Sequence, residues 1–409
     1  MNRVVVTGIG ALTPIGNDVE TMWENLISGK HGIGEITKFD HTSSKASLAA
    51  EVKGFDPLRY IEKNELRRLD LFSQYALSAA TQAVEDSDII EKIEAERFMV
   101  CFGSGIGGIN TFETEHEKLI NGGPRKVSPL YIPMMIGNLA AGNIAIRFGA
   151  KGPCTSVVTA CSTGADAIGS AYRAIKHGYA DAAITGGSEA AITILSVAGF
   201  ANMTALTLSK DPDAASLPFD KRRSGFVMGE GAGALVLEEY EHAINRGAKI
   251  YAELVGYGLT CDAYHITAPS PEAESSARAI SDAFVEAGSP EGIIYINAHG
   301  TGTPLNDATE TNAIKKAFSD DTTNILVSST KSMTGHTLGA SGAIEAIISI
   351  LALTRGILPP TIGLNEPDPL CDLDNIPLTA RELKAMLAMS VSLGFGGHNA
   401  CLAFREIRS

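Results

Sequence analysis

The sequence predicts an α/β protein in which helices cover mostly parallel sheets. Short apolar runs of strand length alternate with stretches of helical periodicity along the whole chain. The alternation begins afresh near Ile250, so the chain reads as two α/β halves of the same kind. Its 42 glycines among 409 residues supply the tight turns that such alternation needs.

In the first half, apolar runs at 4–7, 98–103, 155–160, 182–187 and 233–238 predict strands, and the patterns at 19–28, 66–87, 109–120, 132–148 and 162–177 predict helices. In the second, strands are expected at 250–258, 292–297, 325–328, 388–392 and 400–404, and helices at 272–286, 307–318 and 340–354. The division falls near 247–249 with no polar linker, giving units 1–249 and 250–409 that pack tightly and place a site where they meet. The 340–353 stretch is apolar on every side and predicts a buried helix. Its single charge, Glu345, therefore requires a buried partner.

A net charge of −14 excludes a nucleic-acid-binding surface, which needs a dominant basic face. No apolar run of about 18 residues predicts a membrane span, and the N-terminus reads as a strand with no signal-peptide pattern. Six cysteines scattered at 101, 154, 161, 261, 371 and 401, with no C-x-x-C, fit a reducing cytoplasm better than a disulfide framework or a zinc site.

Cys161 stands at the turn from the 155–160 run into the 162–177 helix. At the positive end of a helix dipole a thiol pKa is expected to fall. Three later loops gather polar residues at strand ends, where α/β folds place their sites. They are Asn297-Ala298-His299-Gly300-Thr301-Gly302-Thr303-Pro304, Ser329-Thr330-Lys331-Ser332-Met333-Thr334-Gly335-His336, and Gly394-Phe395-Gly396-Gly397-His398-Asn399.

On Thr159-Ala160-Cys161-Ser162-Thr163-Gly164, His299-Gly300-Thr301-Gly302-Thr303, Lys331-Ser332-Met333-Thr334-Gly335-His336 and Gly394-Phe395-Gly396-Gly397, the chain resembles the β-ketoacyl-[acyl carrier protein] synthases, most closely the synthase II type of bacterial fatty acid synthesis. The resemblance runs over nearly the whole chain. Gly103-Ser104-Gly105-Ile106-Gly107-Gly108 and Gly225-Phe226-Val227-Met228-Gly229-Glu230-Gly231 support it. It implies the thiolase-like fold, two similar α/β halves layered α-β-α-β-α, and a decarboxylative Claisen condensation that lengthens an acyl chain by two carbons.

In that reading Cys161 holds the acyl chain, while His299 and His336 donate to the enolate left when malonyl carrier protein loses carbon dioxide. The N–H groups of Cys161 and Phe395 form the oxyanion hole. Lys331 and Glu345 make a buried pair that organises His336, with Asp307 in support. Thr301 and Thr303 meet the phosphopantetheine arm, Phe395 gates the acyl chain, and Ile106 lines its pocket near a homodimer contact. The acidic carrier protein meets Lys63, Arg67, Arg68, Arg125 and Lys126. No cofactor is implied beyond a structural Na⁺ or K⁺ ion near Asn297, Glu345, Ser390 and Val391. No nucleic acid or membrane partner is implied.

Three positions depart from the family pattern: Ser224 replaces an Asp, Asp166 an Asn in the cysteine helix, and Val391 an Asn beside the cation site. A polyketide ketosynthase domain shares the constellation, and the chain's end at Ser409 with no appended domain favours a discrete fatty acid enzyme, with a discrete polyketide-type ketosynthase as the alternative. The non-enzymatic chain-length partner of polyketide systems lacks the cysteine present here. A thiol hydrolase leaves Lys331 and His336 without roles. The G-x-G-x-x-G at 103–108 raises a nucleotide-binding oxidoreductase, yet no acidic ribose ligand ends a second strand at the right distance.

Overall fold

The computed structural model describes residues 1–407. Among them ten strands form one sheet: Val4–Leu12 (β1), Phe98–Gly103 (β2), Cys154–Thr155 (β3), Ala182–Glu189 (β4), Gly231–Glu239 (β5), Ala252–Cys261 (β6), Ile294–Asn297 (β7), Ile325–Ser328 (β8), Leu387–Gly394 (β9) and His398–Arg405 (β10). Their spatial order is β8-β7-β9-β10-β6-β1-β5-β4-β2-β3. Counted outward from the centre, each half runs first, fifth, fourth, second, third in chain order, so the two halves share one topology.

The sheet is not mostly parallel. Parallel pairing is confined to its ends, where β2 joins β3 and β4, and β7 joins β8 and β9. Every pairing between β4 and β9 through the centre is antiparallel. The three-residue turn 395–397 between β9 and β10 permits only that arrangement, because parallel neighbours need a long crossover.

Helices Leu71–Ser87 (α1), Ile109–Gly122 (α2), Thr163–Lys176 (α3), Glu274–Glu286 (α4), Pro304–Ala317 (α5) and Ser341–Arg355 (α6) complete the layers. The α1 helix covers β1 and β5 from outside and α4 covers β6, while α3 and α6 pack on each other between the two halves. They approach closely because both carry glycine at the crossing. A Cβ on Gly164 would lie 2.7 Å from Ala343 N, and one on Gly342 2.6 Å from Ala165 N. The α6 helix is buried through Leu353, as its all-round apolar pattern predicts. With the preceding turn it is long and apolar enough for a membrane span, but 89% of that stretch is buried within the protein.

Several expected boundaries shift for local reasons. The strand expected at 155–160 ends at Thr155, since the N–H of Thr159 turns to Thr163 Oγ1 at 2.9 Å instead of a ladder partner. The helix expected at 66–87 begins at Leu71, where the Asp70 side chain caps it by accepting from Phe72 N at 3.3 Å. The helix expected at 132–148 is two, Tyr131–Met135 and Leu139–Phe148, interrupted where Ile136 turns extended.

Candidate active site

The nucleophile's turn is a 3₁₀ segment, Ala160–Ser162, that runs straight into α3. Ala160 is held left-handed at φ 52°, a conformation costly for any residue with a Cβ. The Ser162 hydroxyl fastens the turn to the other half through Ser392 O at 3.1 Å and His398 O at 2.9 Å. Asp166 also serves the turn: its carboxylate accepts from Thr159 Oγ1 at 2.5 Å and from Tyr257 OH at 2.8 Å.

The loops after β7 and β8 bring the two histidines to the sulfur. A ring nitrogen of each lies with Cys161 Sγ in a cluster whose members are within 4.8 Å of one another. His336 Nε2 is 3.1 Å from Sγ, and its Nδ1 is 3.0 Å from Ser341 Oγ, the first residue of α6. Phe226 packs edge-on to the His336 ring at 5.1 Å, and the two imidazoles stand edge to face at 5.2 Å.

His299 is placed by its backbone. Its N–H and that of Gly300 donate to the two oxygens of Glu310 on α5, at 2.6 and 2.7 Å. Asp307, one turn earlier on α5, accepts from Gly302 N at 3.2 Å and Phe219 N at 2.9 Å. Asp307 thus holds the loop through these two N–H groups, while Glu310 carries the histidine, and sequence reasoning missed Glu310. Its available signal was a second carboxylate three residues along the predicted helix.

Lys331 meets Glu345 in a buried ion pair, which answers the lone charge of α6. Burial pushes the Glu345 carboxyl up to about 7 while Lys331 pulls it back. Glu345 Oε2, Asn297 Oδ1 and Ser390 Oγ are buried and find no hydrogen-bond partner among the described residues. Asn297 and Ser390 face each other across β7 and β9. Unpaired carboxylate, amide and hydroxyl oxygens are the donor types that a hard cation takes.

The thiol differs from the expectation. Burial pushes Cys161 up to about 12, outweighing the positive charge of Lys331 and the N–H of Phe395, which both favour the thiolate. Burial and Lys331 likewise hold His299 and His336 well below the ordinary imidazole value. At neutral pH the cluster is therefore a thiol beside two neutral imidazoles, each able to donate one N–H and accept at the other nitrogen.

These groups open onto one cavity of about 360 Å³, also lined by Phe200, Phe226, Thr301, Thr303 and Phe395. The Thr301 and Thr303 hydroxyls lie 2.9 Å apart on its wall. Phe395 is half-buried at the β9–β10 turn, its ring 6.5 Å from that of Phe200. Ile106 does not line this cavity; its side chain is 39% exposed. Lys63, Arg67, Arg68, Arg125 and Lys126 are all exposed. Ser224 shares a 3.1 Å hydrogen bond with Thr207 and leaves the neighbouring Arg223 to pair with Asp368 at 2.6 Å.

The glycine-rich 103–108 segment offers no phosphate cradle. The N–H groups of Gly105 and Ile106, which a pyrophosphate would need, donate to the buried carboxylate of Glu189 at 2.9 and 3.1 Å. That removes the physical basis of the oxidoreductase reading.

Comparison with known proteins gives a consistent result. The profile of the beta-ketoacyl synthase N-terminal domain matches residues 1–243, and that of the C-terminal domain matches residues 251–365. The chain is 52% identical over 407 residues to the 3-oxoacyl-[acyl-carrier-protein] synthase 2 of Synechocystis sp., covering 99% of this chain and 98% of the relative. A beta-ketoacyl synthase from Burkholderia phymatum superposes with a TM-score of 0.93 at 35% identity, and each chain is covered in full. A type II polyketide ketosynthase, solved with its acyl carrier protein, superposes at 0.92 with 34% identity, again over the full length of both.

Proposed function

The chain belongs to the β-ketoacyl synthase family, with the thiolase-like fold, and on that premise we propose that it is a 3-oxoacyl-[acyl carrier protein] synthase 2 that works through Cys161. It is a condensing acyltransferase of fatty acid elongation. The observation that carries the residue assignment is the buried cluster itself: one thiol, two neutral imidazoles and a backbone N–H facing a single cavity.

Cys161 Sγ attacks the acyl thioester, and the carrier protein's pantetheine thiol departs with the proton that Cys161 gives up. Malonyl carrier protein then binds along Thr301 and Thr303. Loss of carbon dioxide leaves an enolate whose oxygen receives N–H donation from His299 and His336. Its carbon attacks the acyl-cysteine, and the N–H groups of Cys161 and Phe395 receive the oxyanion. Collapse releases 3-oxoacyl carrier protein and the Cys161 sulfur, which takes up one proton to close the cycle.

The partner in this reading is an acyl carrier protein, drawn by Lys63, Arg67, Arg68, Arg125 and Lys126 against the chain's net acidity. A homodimer is supported by the edge position of β3 and by exposed Ile106, Phe112, Ile132 and Val158. A Na⁺ or K⁺ ion would be held by Asn297, Glu345 and Ser390, with Val391 able to add only a carbonyl; it would balance buried carboxylate charge. Free cysteines throughout the described residues fit a cytoplasmic setting.

The test is intact mass after incubation with acyl carrier proteins of graded chain length, followed by malonyl carrier protein. Acyl adducts that form on the parent, are absent from Cys161→Ala, and are chased into longer products support the reading. Label on Cys161→Ala removes the nucleophile assignment, and a parent adduct that malonyl carrier protein never lengthens removes the condensing activity.

A further inference from the structure

The shared topology of the two halves extends to the turns that open the two inner helices. Thr159-Ala160-Cys161-Ser162-Thr163-Gly164 enters α3, and Thr337-Leu338-Gly339-Ala340-Ser341-Gly342 enters α6. Each begins with a 3₁₀ segment whose first residue is left-handed although it is not glycine, Ala160 at φ 52° and Leu338 at φ 48°. Gly339 is therefore the counterpart of Cys161.

The strand ends facing these turns are exchanged between the halves. Gly394, last residue of β9, packs on the cysteine turn so tightly that a Cβ there would lie 2.6 Å from Thr159 O. Its lack of a side chain lets the cysteine turn approach the strand end directly. The equivalent last residue of β4 is Glu189, and its side chain fills the corresponding space above Gly339.

Glu189 is fully buried and accepts four hydrogen bonds, from Ser104 Oγ at 2.9 Å, Gly105 N at 2.9 Å, Ile106 N at 3.1 Å and Gly339 N at 3.0 Å. Ser104 Oγ itself accepts from Gly107 N, so its proton points to Glu189. Burial raises this carboxyl above its ordinary value, while the four donors converging on it favour the ionised form and pull it back. A Cβ on Gly339 would come 2.8 Å from Glu189 Oε2, so this turn has no room for a nucleophile.

We infer that Glu189 is a positioning residue: it is a built-in anion occupying the second half's counterpart of the cysteine site, and it fixes the turn between His336 and α6. One half keeps this anion hole open for the reaction, and the other closes it with its own carboxylate. Gly339 lies three residues after His336, whose Nδ1 partner Ser341 opens α6. Glu189 thereby sets where the His336 ring meets Cys161, and it joins that turn to the 104–107 loop. It touches neither the substrate nor the reacting atoms.

The inference rests on the condensing function proposed above, and parental turnover of acyl and malonyl carrier proteins is the control for that function. A parent without turnover overturns the function; the outcomes below bear on Glu189 alone. Removing a fully bonded buried carboxylate in Glu189→Ala should lower condensation about ten-fold or more. The emptied hole retains its N–H donors, so sodium formate should restore part of the lost rate, and sodium chloride at equal ionic strength should not. Glu189→Gln keeps the volume but not the charge; it should be slow and insensitive to formate.

Parental turnover in Glu189→Ala, or a loss that formate does not relieve, overturns the inference, because a merely space-filling role gives no anion-specific recovery. If Glu189→Ala fails to fold, Glu189→Gln decides: reduced turnover with an unchanged circular dichroism spectrum supports the inference, and parental turnover overturns it.

Discussion

His336 Nε2 lies 3.1 Å from Cys161 Sγ, across 175 residues of sequence and at the meeting point of the two inner helices. Both groups are neutral there, since burial raises the thiol and lowers the imidazole. The pair is a thiol beside a neutral imidazole, and the thiolate forms only as the proton leaves the sulfur.

Alkylation of Cys161 tests that state. An acid whose pKa is raised keeps its proton to higher pH, so the iodoacetamide rate should still be climbing above the ordinary thiol value of 9.0 on its way toward about 12. Lys331→Met should slow alkylation at fixed pH, because the lysine charge favours the thiolate. A plateau below about pH 8 would mean that the helix dipole outweighs burial.

The two histidines should divide the half-reactions. His299→Ala and His336→Ala each remove an enolate donor and should lower malonyl decarboxylation by about 10²–10³-fold. Self-acylation, followed by intact mass, should fall less. Equal losses in both half-reactions would count against the donor role.

Breaking the buried ion pair should be expensive in a pH-dependent way. Lys331→Met strands Glu345 and should cost about 3–5 kcal/mol in urea unfolding, with Lys331→Met/Glu345→Gln costing less. Burial already raises this carboxyl from 4.5 to about 7 against the pull of Lys331, so losing the lysine raises it further, and a raised carboxyl costs the fold more stability as pH climbs above 4.5. The single variant's deficit should therefore be larger at pH 8 than at pH 5. A pH-independent deficit would show that Glu345 is not the stranded charge.

Gly394→Ala should disturb the nucleophile without unfolding the chain. Its Cβ would lie 2.6 Å from Thr159 O and 3.2 Å from Ser162 N, so the cysteine turn must shift. Overpacking of this kind costs about 1–3 kcal/mol, and misplacement near 1 Å can cost about 10²-fold in rate. Acylation at the parental rate would refute the close packing of gate and turn.

The alkali-cation proposal is checked by thermal unfolding in potassium, sodium and choline chlorides at equal ionic strength. A higher Tm in potassium or sodium, abolished in Asn297→Ala, is the expected result. Identical melting in all three salts removes the ion.

The sequence by itself determined the α/β class, the two series of elements and the loops that carry Cys161, His299, Lys331, His336 and Phe395. Apolar periodicity and glycine-bounded turns are local properties, and each of these residues sits in a motif a few residues long. The buried partner of Glu345 was also legible, because a charge on an all-apolar helix has no other outcome. Only the tertiary structure decided that the two series close into one mixed sheet, that Glu310 holds His299, and that Glu189 fills the turn opposite the cysteine. It also reversed the expected state of the thiol. Helix dipoles can be anticipated from a sequence, but desolvation depends on how many distant atoms surround a group, and at Cys161 desolvation prevails.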